Sequence, residues 1–284
     1  MVRYLFLILA INFAELDRSF SRASDYAACN DELFRLLPEA ETPADKAGLH
    51  WRIARNWLLI GQNEESRDAK RACFAEGIRY AEMAIIENPR DPQGYLWRGA
   101  NVGRESQTRS LMEQASASGK ISADLTTILD KLGKTDCSEA WQALSELWWA
   151  HPFKSSDAAI NFARKAALTI PGGELRITTL THLANLLYQR NWTAEKRASA
   201  AAENSRKYAT AGKSNISRIA LFDGAPAEEL AAPWTQSAIG ELSDREEALA
   251  IAAYAQRIYR VCADPSPIEQ NDILILTKLL KQWQ

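Results

Sequence analysis

A chain of 284 residues with a formal net charge of −2 has neither the basic excess that holds a nucleic-acid backbone nor an acidic run that solvates a tail. At 46% apolar and 25% charged residues, its composition is that of a globular protein and not of a disordered one. Thirteen glycines and ten prolines are few for this length, which points to helices joined by few tight turns.

The chain opens MVRYLFLILAINFAELDR, with one cation, Arg3, then an apolar run from Tyr4 to Phe13 interrupted only by Asn12. That run is too short to span a bilayer but fits the core of a secretory signal, with small Ala14 at the cut. Residues 1–14 therefore read as a signal peptide and the protein as exported, periplasmic if the cell is bacterial. The alternative is a first core helix and a cytoplasmic protein. No later segment approaches the roughly 20 apolar residues of a membrane helix.

Residues 14–37 read as a helical hairpin, stopped by Pro38 and the ETPADK stretch. Residues 45–61 form the next helix, with Trp51, Ala54, Arg55 and Leu58 on one face at i, i+3, i+4, i+7. A long helix over 64–87 ends at Asn88-Pro89, and Asp91-Pro92 opens another, since proline suits the first helical turn. Residues 104–136 insert a further amphipathic section carrying Ile121, Leu125, Ile128, Leu129 and Leu132.

Trp141, Leu144, Ser145 and Trp148 repeat the face pattern over 139–151, followed by a helix capped near Ser156 and closed by Pro171. Leu180, Leu183, Ala184 and Leu187 repeat it once more, and a helix over 193–210 is expected to pair with theirs. Residues 15–211 thus form a repeat domain. Residues 212–243 are an irregular linker, and 244–284 hold two helices, about 244–262 and 267–282, that cap the stack. No stretch alternates with period two, so no sheet is expected.

One segment is written twice. GIRYAEMAIIENP at 77–89 and AINFARKAALTIP at 159–171 share a small first residue, then Ile, an aromatic, two alanines and a closing proline. Small residues (Ala81, Ala84, Ala163, Ala166) let one helix back against another, and a large one (Trp51, Trp141) fills the space between. Each hairpin keeps an apolar stripe that it cannot bury alone, so hairpins stack.

These residues resemble the tetratricopeptide repeat. The stretches DPQGYLWRGANVGRE (91–105), CSEAWQALSELWW (137–149) and HPFKSSDAAINFARKAALTIP (151–171) are similar to the regulator of microtubule dynamics family and its bacterial relatives, over roughly residues 45–210. The resemblance implies an all-α, right-handed solenoid of helical hairpins that binds a protein or peptide on its concave face. Some bacterial relatives instead enclose an apolar pocket and assist solute transport, which implies a small apolar ligand as the alternative.

Chemistry-bearing motifs are missing. His50, His151 and His182 are scattered, no HExxH, GxSxG, Walker or GxGxxG pattern occurs, and Cys29, Cys73, Cys137 and Cys262 form no CxxC. No catalytic residue, metal or cofactor is therefore assigned. Most of the nine tryptophans fit packing positions. Trp149, next to Trp148, points elsewhere. In a stack whose first helices line the concave side, the outward positions are Arg52 and Asn56, then Gln142, Glu146 and Trp149, then Thr181, Asn185 and Tyr188. Two aromatics, two asparagines and charges of both signs suit recognition of a peptide or small ligand.

Overall fold

The computed structural model describes residues 11–23, 25–109, 111–151, 153–171 and 175–283. The expected signal segment falls largely on residues 1–10, outside the described residues. The fold is all-α. Among the described residues there is no strand, only two isolated bridges, Ala232 with Thr235 and Ile239 with Leu242. The chain divides into two compact units, residues 1–117 and 118–284.

The first unit holds α1 (Phe13–Arg22), α2 (Tyr26–Leu36), α3 (Pro43–Asn63), α4 (Arg67–Glu87) and α5 (Pro92–Ser106). Their starts are encoded locally. The side chains of Asn12, Asp25, Thr42, Ser66 and Asp91 each accept a hydrogen bond from a first-turn backbone N–H, and Pro43 and Pro92 occupy first-turn positions. Helices α3, α4 and α5 pack on one another, and α2 packs on α3.

Asn101 sits where α3, α4 and α5 meet, fully buried. Its amide donates to the carbonyls of Ala54 (3.1 Å) and Trp97 (2.8 Å). Gly77 makes this possible, because a Cβ there would lie 2.1 Å from Asn101 Oδ1. At the other end of α3, Phe13 of α1 presses on Gly48, where a Cβ would come within 2.6 Å of the ring.

The second unit begins with the end of α6 (Leu111–Thr126) and a π-helical turn at Thr127–Lys131. It continues with α7 (Ser138–Ala150), α8 (Ser156–Leu168), α9 (Ile177–Arg190), α10 (Ala194–Thr210), the short α11 (Asn215–Ile219) and α12 (Ala227–Leu230), α13 (Asp244–Val261) and α14 (Pro267–Trp283). Helices α7 and α8 form a hairpin whose centre is Trp141 stacked on Phe162, ring centroids 5.8 Å apart.

The partner of α9 differs from expectation. It packs along α13, while α10 lies against the turn at Phe222–Gly224. The reason is compositional. Helix α10 buries only Arg197 and Tyr208, so it has no apolar stripe to offer. Helix α13 supplies Ala248, Ile251, Ala252 and Ala255 at i, i+3, i+4, i+7, all buried.

A buried charged cluster joins α8, α9, α10 and α13. Arg164 forks onto Glu247, and Arg197 and Trp234 also donate to that carboxylate. Arg190 forks onto Asp244 at 2.8 Å through both nitrogens and reaches Asp157 at 3.2 Å. Burial alone raises the Glu247 pKa, but the guanidiniums of Arg164 and Arg197 outweigh it and hold the carboxyl at about 2.

Candidate functional site

Of the outward residues expected in the second unit, Gln142, Glu146, Thr181 and Asn185 converge. Gln142 and Glu146 of α7, and Thr178, Thr181, His182 and Asn185 of α9, line one groove of about 210 Å³ with Asp272, Ile275 and Leu279 of α14. The α9 members recur at i, i+3, i+4, i+7, so they form one polar stripe. Gln142 ties α7 to α9 by accepting from Thr179 Oγ1 at 2.6 Å, and it donates to Glu146 of its own helix at 3.0 Å. The Thr181 hydroxyl is buried with no hydrogen-bond partner, an unmet polar group facing this stripe.

Ser145 and His182 lie 2.9 Å apart. Burial lowers the His182 pKa while Glu146 opposes it, so the ring is neutral at pH 7. Ser145 is fully buried and does not line the groove, whereas His182 does.

Helix α14 forms one wall. Thr178 donates to Asp272 at one end of α9. At the other end Tyr188 stacks on Trp283 at 4.6 Å and donates to its carbonyl oxygen at 3.0 Å. The two anchors make α14 run parallel to α9. Leu276 is its one fully buried residue, while Leu274 and Ile275 remain 60% and 44% exposed.

Two expected groove residues are placed otherwise in this unit. Trp149 packs, half-buried, against the apolar core instead of facing the groove. Tyr188 is engaged by Trp283.

Arg52 and Asn56 depart furthest from expectation. They are buried in the first unit, 6% and 1% exposed, because α1 covers that face of α3. Asp17 of α1 accepts from Arg52 Nε (3.0 Å) and Nη2 (2.5 Å) and from Arg55 Nη1 (3.0 Å). Burial raises the Asp17 pKa, but the two guanidiniums prevail and lower it. The sequence signal for this was Arg55 itself, a cation inside an apolar stripe, which meets Asp17 and the Phe20 ring.

Among the described residues no group of three or more His, Cys, Asp or Glu side chains is arranged to hold a metal, and no helix is long and apolar enough to cross a membrane. No family model and no curated protein matches the chain.

Proposed function

We propose that this chain is a non-catalytic, tetratricopeptide-like helical-repeat protein that binds a peptide segment of a protein partner along the α7–α9 face, beside α14. One observation carries this reading. The groove sets a polar floor (Gln142, Glu146, His182, Asn185) against an apolar wall of exposed Ile275 and half-buried Leu279, the arrangement that an amphipathic segment matches. The seating of α14 on α9 supports it, since this face already accepts a helix. The fully buried Ser145 supports a binding role over a hydrolytic one.

The test is a photo-crosslinking residue placed at position 275, with position 203 on the exposed side of α10 as control, in the protein's own cells. A discrete polypeptide adduct from 275 that is absent from 203 and lost in Asn185→Ala is expected. The same pattern from both positions, or none from 275, overturns the proposal.

A further inference from the structure

The first unit contains a second cavity, of about 530 Å³, bounded by α1, α2 and α3. Its volume lies in the range of small-ligand sites. Its walls are apolar, from Leu16, Phe20, Leu33 and Leu36, and its floor is polar, from Arg52, Arg55 and Asn56. These three stand at i, i+3, i+4 on α3, one face of one helix.

The floor is incompletely matched. Two buried guanidiniums share one carboxylate, that of Asp17. The Arg55 guanidinium lies 3.4 Å over the Phe20 ring, and its Nε is buried without a hydrogen-bond partner. Asn56, 1% exposed, has neither amide atom partnered. Native proteins rarely leave such groups unmet without a function for them.

Burial lowers the Arg55 pKa to about 10 in spite of Asp17, so the cation persists at neutral pH while under-compensated. The rim carries Glu15, Glu32, Arg35 and Glu39. Arg35 bridges Glu32 and Glu39, and these exposed charges are screened by solvent where the buried floor is not.

We propose that this cavity binds an amphiphilic carboxylate, a fatty-acid-like anion whose head accepts from Arg55 and Asn56 and whose tail lies against Leu16, Phe20, Leu33 and Leu36. The head supplies the second anion that the guanidinium pair lacks, and the tail covers the apolar walls. The site stands independently of the α7–α9 groove, whose residues it does not share.

Isothermal titration of the full chain at pH 7.5 with decanoate, decanol and decyltrimethylammonium tests it. Saturable binding of one decanoate per chain is expected, with decanol weaker by at least about tenfold. Arg55→Met and Asn56→Leu each weaken decanoate by a similar factor. Asn56→Leu also raises the melting temperature of the ligand-free protein, because it removes an unpartnered buried amide; a purely structural asparagine would lower it. The proposal is overturned by absence of saturable binding, or by decanol or the ammonium binding as tightly as decanoate. It is equally overturned by an Asn56→Leu protein, helical by circular dichroism, that binds decanoate like the parent. Asn56→Leu decides if Arg55→Met does not fold.

Discussion

Glu247 receives three donors in the buried interior of the second unit: Arg164, Arg197 and Trp234. Replacing it by Gln leaves the buried Arg164 guanidinium without its anion and Arg197 with Asp244 alone, 3.3 Å away, and a loss of about 3–5 kcal/mol is expected in urea unfolding. Its pKa is depressed to about 2, against ~4.3 for an unfolded glutamate. The stabilisation is therefore complete above roughly pH 5 and is lost as pH falls towards the folded value. A pH series of melts should show this slope in the parent and a shallower one in Glu247→Gln.

Gly77 gives a second prediction at this scale. Alanine gains about 1 kcal/mol of helix propensity, but its methyl would lie 2.1 Å from Asn101 Oδ1, and overpacking of this kind costs about 1–3 kcal/mol. Asn101 also donates to Ala54, so it has little freedom to retreat, and Gly77→Ala should lower the melting temperature.

At the scale of elements, α14 is held by few contacts, a single fully buried leucine and an anchor at each end. Trp283→Ala should raise amide exchange across 267–283 while leaving α7 and α8 protected. Unchanged exchange in α14 would show that Leu276, with half-buried Ile273 and Leu280, seats it without the ring. Helix positions were readable from caps and periodicity, since Asp91-Pro92 and the alanine spacings of α4, α8 and α13 act locally, although Thr42-Pro43 opens α3 inside the ETPADK stretch that reads as a break. The pairing of α9 was not. It depended on which distant helix offered an apolar stripe, and α10, next in the chain, carries charges where such a stripe would lie. The groove residues Gln142, Glu146 and Asn185 followed from helical spacing together with the expectation that α7 and α9 are first helices of stacked hairpins. Arg52 and Asn56 did not, because their burial depends on α1, whose N-terminal residues overlap a segment with the pattern of a signal.

At the scale of the molecule, each unit builds a core from its own residues: Leu33, Leu49 and Ile53 in one, Leu180, Leu187, Ile251 and Leu276 in the other. Glu247→Gln should accordingly speed exchange in α8, α9 and α13 and leave α3 to α5 at parental rates. The start of the mature chain bears on the first core. A cut after Ala14 would remove Phe13, which packs on Gly48 and lies 4.3 Å from the Arg52 guanidinium. An intact-mass measurement of protein from its own cells decides whether Phe13 is present in the working protein.

The Arg164–Glu247 pair joins positions 83 apart in the sequence. Losing Glu247 strands the Arg164 charge in the interior, whereas Glu247 keeps Arg197 and Trp234 when Arg164 alone is lost. The history of this chain is therefore constrained in one direction: a change at 247 must be accompanied by one at 164, and descendants of a common ancestor should not carry Arg164 without an acid at 247.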